Sequence, residues 1–185
     1  ASIEVIPIEN DDGRRQWYKM DVFRMAPKGD VVFVSDIDWT FVGDVTDIFN
    51  QEVKSNELIA PYRWWTRYKG KGFTINGGLY KFIGGDHQYV PDTFYDRPQY
   101  WMQHYILDRR LAHPPVNGEQ NFVDETIRKN NGILKYFEPR DAIGRMPSDH
   151  QHAVEYNELY LLNYGHDYFH VGEFNDRIKM IQSVL

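Results

Sequence analysis

The chain has 185 residues, with 27 acidic against 21 basic side chains and a formal charge of −6. This is the size of a single domain, and its charge speaks against general nucleic-acid binding, because phosphate attraction needs a net basic face. Cysteine is absent, so disulfide scaffolds, thiolate zinc sites and cysteine nucleophiles are excluded for this sequence.

No apolar run approaches the ~20 residues of a membrane span. The first ten residues lack the basic start and apolar stretch of a secretory signal, so a cytoplasmic location is expected. Aromatic residues reach 16%, a content that serves core packing and also stacking on sugars or bases.

Taken in chain order, Asn10 to Gly13 reads as a turn, after which Trp17, Met20 and Phe23 fall on one helical face. Pro27 to Asp30 stops that helix. Val31-Val32-Phe33-Val34 reads as a buried strand from its unbroken β-branched and aromatic run. Asp44 to Asn50 predicts a short helix or turn. Phe73 to Ile75 and Leu79 to Ile83 are strand-like, with Asn76-Gly77-Gly78 between them.

Tyr100, His104, Leu107 and Leu111 share a helical face, with Asp92 or Asp96 as a cap and His113-Pro114-Pro115 as the stop. Phe122, Val123, Thr126 and Ile127 predict another helix, ended by Asn131-Gly132 in a left-handed turn. Ile133 to Phe137 and Tyr168 to Val171 read as strands, and Ile178, Ile181 and Leu185 as a closing helix. Alternation of strands and helices without an internal repeat predicts an α/β fold.

The most informative stretch is the strand that ends in Ser35-Asp36-Ile37-Asp38. Residues i and i+2 of an extended chain face the same way, so Asp36 and Asp38 can converge on one ligand. Two adjacent carboxylates repel, and a divalent cation relieves the repulsion. Hard oxygen donors favour Mg2+ or Mn2+, which also bind diphosphates. The plainer reading is a solvated loop whose acids cap the next element.

Two enzyme families use an acidic pair in this position. Asp36-Ile37-Asp38-Trp39-Thr40 matches the Asp-x-Asp-x-Thr signature of haloacid dehalogenase-like phosphatases, in which Asp36 would be the nucleophile of an Mg2+-dependent reaction. That reading needs a later Lys and a second acidic pair. Gly85-Asp86 and Asp92 supply the latter only loosely.

The second family fits more of the chain. Trp17 to Phe23 with Lys19, the strand at Val31, the acidic pair, and Val42-Gly43-Asp44 to Phe49 follow one another in a familiar order. Thr74 to Tyr80 looks like a "phe-asn-ser-gly-val" strand, Gly118 to Asp124 like an "asp-gln-x-x-leu-asn" segment, and Tyr168 to Gly172 like a "val-his-phe-x-gly" segment. The ordered set, spanning Trp17 to about Lys179, resembles metal-dependent retaining glycosyltransferases of the GT-A fold, of the glycogenin and bacterial lipopolysaccharide galactosyltransferase type. The compact, aromatic-rich texture also resembles glycosyltransferases encoded by large chlorella viruses, which would place the protein in the host cytoplasm.

This resemblance implies a mixed, mostly parallel sheet flanked by helices. It also implies transfer of a sugar from a nucleoside diphosphate donor, with a UDP-sugar favoured, to a carbohydrate or glycoprotein acceptor. Asp36, Asp38 and His170 would hold Mn2+ or Mg2+. Lys19, Asp36, Asn76, Gly77 and Gly172 would line the donor, and Glu119 and Gln120 would lie beside the anomeric carbon.

Plainer readings stand beside each assignment. Lys19 could be a solvated helix lysine, and His170 a strand histidine bonded to backbone, with His166 as a rival ligand. Asn76-Gly77-Gly78 could be a tight turn, and Glu119 could cap its helix. The run from Pro61 to Lys71 interleaves rings and cations. It reads as a strand with inward rings, with one Trp left for an acceptor sugar.

Only 35 residues precede Asp36, fewer than the βαβ region that the resemblance leads one to expect. The expectation is therefore one domain over residues 1–185 with a shortened nucleotide-binding part. A third reading keeps the fold and drops catalysis, leaving a glycan-binding domain.

Overall fold

The computed structural model describes residues 15–36, 39–41, 44–62, 74–105, 118–138, 143–145 and 161–163. A 3-10 turn at Arg15–Tyr18 runs into helix α1, Lys19–Met25. Strands β1 (Val31–Ser35) and β2 (Trp39–Phe41) follow, then α2 (Thr46–Asn50), β3 (Glu57–Ala60) and β4 (Leu79–Ile83). Helices α3 (Tyr89–Asp96), α4 (Pro98–His104) and α5 (Glu119–Lys129) precede β5 (Ile133–Tyr136), β6 (Ile143–Arg145) and β7 (Leu161–Asn163).

Four strands form a sheet in the order β1-β4-β3-β5, and three short ones a second set in the order β2-β7-β6. The fold is α/β with a mixed sheet, as expected. The expected parallel majority is not seen in the four-stranded sheet. β1 and β3 both pair antiparallel with β4, and only β3 with β5 is parallel. β4 returns between β1 and β3 and runs opposite to both.

Side chains alternate along the sheet and fill two cores. Leu58 and Ala60 of β3 and Tyr80 and Phe82 of β4 face α1, α3 and α5, where they meet Met20, Phe23, Phe94 and Phe122. Trp17 stacks on Phe94 with ring centres 5.1 Å apart, and Phe23 on Phe82 at 4.8 Å. Ile59 and Leu79 face the other way, into a cluster with Trp39, Ile48 and Phe137. Lys81 shares that second face and is buried. Its ammonium donates to the carbonyls of Phe49 and Gln51, where α2 ends, so a cation meets the negative end of a helix.

Strand β1 corrects one expectation. Among the described strands it lies at the edge of the four-stranded sheet, and Val31 is 60% exposed. The unbroken apolar run has a different cause from central burial. Val32 and Val34 pack on one core, and Phe33 packs on the other.

The first helix has the predicted buried face of Trp17, Met20 and Phe23. Helix α4 carries Tyr100 and His104 of the predicted face and ends at His104, while Leu107, Leu111 and the stop at His113 to Pro115 fall outside the described residues. Asp92 and Asp96 belong to α3 rather than capping α4. Helix α5 ends with Asn131 in the left-handed region at φ 57°, the residue type and place predicted. The expected strand at Tyr168 and closing helix at Ile178 fall outside the described residues.

Candidate functional site

The turn between Ile75 and β4 is the meeting point of three elements. Asn76 is fixed first: its amide donates to the Pro61 carbonyl at 2.9 Å, and its side-chain oxygen accepts the Gly78 amide at 2.7 Å. The Gly78 carbonyl then accepts the Asp36 amide at 2.8 Å. Asp36 is thereby held at the carboxyl end of β1, next to the turn.

Helix α1 sends Lys19 across this junction. Its ammonium donates to Asp36 Oδ2 at 2.7 Å, to the Gly77 carbonyl at 3.0 Å and to Glu119 Oε1 at 3.4 Å. The Lys19 side chain is 15% exposed, Asp36 34% and Glu119 1%. Burial works against the Lys19 charge. The Glu119 and Asp36 carboxylates more than offset it, so the pKa lies above the usual lysine value. The reading of Lys19 as a solvated lysine is overturned by these contacts.

Helix α5 contributes Glu119 and Gln120 from its first turn, with Gly118 as N-cap. Glu119 makes no capping bond. One oxygen meets Lys19, and the other, Oε2, is buried with no hydrogen-bond partner among the described residues. The Gln120 side-chain oxygen accepts the Gly77 amide at 2.8 Å.

Gly77 must be small. A Cβ there would lie 2.8 Å from Gln120 Cβ, 3.0 Å from Tyr80 Oη and 3.1 Å from Glu119 Oε1. Gly78 is tighter still, with Trp39 Nε1 2.2 Å from the place of a Cβ.

The structure thus brings together Lys19, Asp36, Asn76, Gly77, Glu119 and Gln120 from four separate parts of the chain. Asp38, His170 and Gly172 lie outside the described residues, as do His166 and the run from Arg63 to Lys71. Among the described residues no group of three His, Asp or Glu side chains is assembled for a metal ion, and no helix is long and apolar enough to cross a membrane.

Sequence reasoning gave no role to Thr74, Asp124 and Arg128, which adjoin the site. Asp124 is fully buried. It accepts the Thr74 amide at 2.7 Å and Arg128 Nε at 2.6 Å. The signal available was the four-residue spacing of Gln120, Asp124 and Arg128, which puts all three on one stripe of a helix.

No family model and no curated protein matches the chain. The chain is similar to the crystal structure of the glycosyltransferase GlyE in Streptococcus pneumoniae TIGR4, with 14% identity and a TM-score of 0.45, over 97% of this chain and 47% of that one. The chain therefore spans about half the length of that protein. A likeness of this size assigns neither a fold family nor an activity.

Proposed function

We propose that this chain is a GT-A-like domain that transfers a sugar from a nucleoside diphosphate donor, with a UDP-sugar favoured, to a carbohydrate or glycoprotein acceptor with retention at the anomeric carbon. One observation carries the proposal. Six residues selected from sequence as donor-facing or catalytic converge on the Asn76-Gly77-Gly78 turn, with Lys19 bonded to Asp36, Gly77 and Glu119 at once. A solvated loop and a solvated helix lysine do not produce that arrangement.

In this reading Asp36, Asp38 and His170 hold Mn2+ or Mg2+. Two carboxylates and an imidazole are a donor set that suits either ion. Asp36 stands at a strand end, its side chain 34% exposed and one oxygen bonded to Lys19, and in this reading its other oxygen would face the ion. Bound there, the cation offsets negative charge on the departing diphosphate. Lys19, bonded to Asp36, would add positive charge beside the same group. Asn76, Gly77 and Gly172 line the sugar. Glu119 and Gln120 form its floor, and Glu119 Oε2 is a buried acceptor that a sugar hydroxyl can satisfy.

The test is a panel of nucleoside diphosphate sugars added to the chain with Mn2+, read by thermal shift and calorimetry. One donor should raise the melting temperature, and the effect should vanish with chelator and in Asp38→Ala. Phosphate release from simple phosphomonoesters, with Asp36 phosphorylated, would instead establish the phosphatase. Glycan binding indifferent to chelator and to Asp36→Ala would establish a binding domain.

A further inference from the structure

The segment from Thr74 to Gly77 is held by a helix. The Thr74 amide donates to Asp124 Oδ2 at 2.7 Å, and the Gly77 amide to Gln120 Oε1 at 2.8 Å. Arg128 ties the far end, with Nη2 3.0 Å from Thr74 Oγ1 and Nε 2.6 Å from Asp124 Oδ1. Thr74 Oγ1 itself lies 3.4 Å from Asp124 Oδ2.

Gln120, Asp124 and Arg128 are four residues apart, one above the other on a single face of α5. The stripe therefore grips the extended segment at both of its ends. Ile75 and Asn76 lie between those grips, and Glu119 stands beside the one at Gly77.

We propose that Asp124 is a positioning residue. Braced by Arg128, it sets how far the Asn76-Gly77 turn advances along α5, and hence where Gly77 sits relative to Glu119 and Lys19. The proposal rests on the glycosyltransferase reading for its consequence in catalysis, but not for its geometry.

Three features single out Asp124. It is wholly buried, a position that an apolar side chain would fill without the desolvation cost of a carboxyl group. Both its oxygens are engaged, one by the segment and one by Arg128. The turn it controls has no slack, because a single added carbon at Gly77 meets Gln120 and Glu119.

The experiment uses the full chain and two independent readouts. Amide hydrogen exchange is measured in Asp124→Ala, Asp124→Asn and Arg128→Met, and turnover of whichever donor the panel identifies is measured with Mn2+. In Asp124→Ala the amides of Thr74 and Gly77 should exchange about 10-fold faster, while those of Leu79 to Phe82 keep their protection. Turnover should fall by about 10-fold or more in kcat, since small displacements of positioning groups are costly. Asp124→Asn keeps an acceptor for the Thr74 amide but turns its NH2 toward Arg128, so it should recover part of both losses, to about the level of Arg128→Met.

Unchanged exchange at Gly77, or acceleration spread equally over β4, overturns the proposal. If Asp124→Ala does not fold, Arg128→Met decides. There Gly77 exchange should rise about 3-fold, and no change overturns the proposal. If the native chain turns over no donor, the functional reading fails while the exchange measurement still tests the positioning role.

Discussion

Lys19 and Glu119 are a hundred positions apart in the chain, and the ammonium of one lies 3.4 Å from a carboxylate oxygen of the other. Asp36 lies closer still, at 2.7 Å. One cation thus holds two carboxylates that would otherwise repel across a largely buried junction. Removing it leaves a buried negative charge without compensation. Lys19→Met should therefore destabilise the fold by about 2–3 kcal/mol, lowering the melting temperature by roughly 5–10 °C for a chain of this size. Adding Glu119→Gln should recover part of that loss, because the orphaned charge goes with it. A double-mutant cycle by thermal or urea unfolding measures the coupling. Strictly additive effects would show that the contact contributes nothing.

The pH dependence of stability follows from three groups, Lys19, Glu57 and His87. The Lys19 pKa is raised above 10.5, so its contribution is complete below pH 10.5 and is lost as pH climbs through the raised value. Glu57 is buried, which alone would raise its pKa. Hydrogen bonds from Lys135 and the Lys54 amide, with the charges of both lysines, bring it below 4.5 instead. Its contribution is present above pH 4.5 and is lost as pH falls through the depressed value.

His87 lies below 6.5 because it is buried, despite the Glu57 carbonyl that accepts from Nε2 and the nearby Asp86. Its neutral form receives the Tyr89 hydroxyl on Nδ1 at 2.9 Å, and its contribution is lost as pH falls from 6.5. Urea unfolding across pH should therefore show a plateau from about pH 7 to 10, a first decline below 6.5 and a steeper one below 4.5. In His87→Gln the decline between pH 6.5 and 5 should disappear.

The parts of this architecture that could be foreseen are those written in local spacing. Trp17, Met20 and Phe23 announce α1 because three-residue steps return to the same side of a helix. Asn131 announces the end of α5 because its residue type tolerates a positive φ. Strand β3 and helix α3 gave no comparable notice. Glu57-Leu58-Ile59-Ala60 is four residues buried on both faces, without alternation, and α3 carries Pro91 in its first turn, where proline is harmless but resembles a loop signal.

Strand sense was not legible at all, because it depends on where β4 returns rather than on any residue within it. Nor could spacing distinguish a paired Lys19 from a solvated one, since its partners lie 17, 58 and 100 positions away. For six of the candidate residues only the resemblance pointed to a common place, and the structure puts those six together.

Gln120 offers a cleaner test of the turn than the charged residues do, because it carries no charge. Its carbonyl oxygen is the acceptor for the Gly77 amide in a site that is 3% exposed. Gln120→Met keeps much of the volume but leaves that amide buried and unbonded. The expected cost is about 1–3 kcal/mol, with Gly77 becoming faster to exchange than its neighbours. Gln120→Glu restores an acceptor and adds a charge beside Glu119, so it should bond the amide yet add a pH dependence beyond that of the native chain, which Gln120→Met does not. Equal stability of Gln120→Met and the native chain would show that water or another group takes over the amide.

The two adjacent glycines should differ in the penalty they carry, and the order is predicted from space rather than from backbone conformation. Neither has a positive φ, in contrast to Gly29 at 88°. At Gly77 an added Cβ meets three side-chain atoms at 2.8 to 3.1 Å, two of them on Gln120 and Glu119, near the start of α5. The carboxylate end of Glu119 can give way, but Gln120 Cβ is fixed to the backbone of α5, so the turn or the helix start must move. Gly77→Ala should cost about 1–3 kcal/mol and should weaken donor binding more than it weakens the fold. At Gly78 the Cβ would fall 2.2 Å from Nε1 of the buried Trp39, and the indole can yield only by leaving its place against Ile48, Leu79 and Phe137. Gly78→Ala should therefore be the more destabilising of the pair, with a perturbed Trp39 fluorescence. Gly29→Ala should be milder than Gly78→Ala, because nothing lies within 4 Å of the new carbon and only the left-handed backbone opposes it, at about 1–2 kcal/mol. Melting temperatures of the three variants measure this order. If Gly78→Ala is as stable as the native chain, the close packing of the turn against Trp39 is wrong.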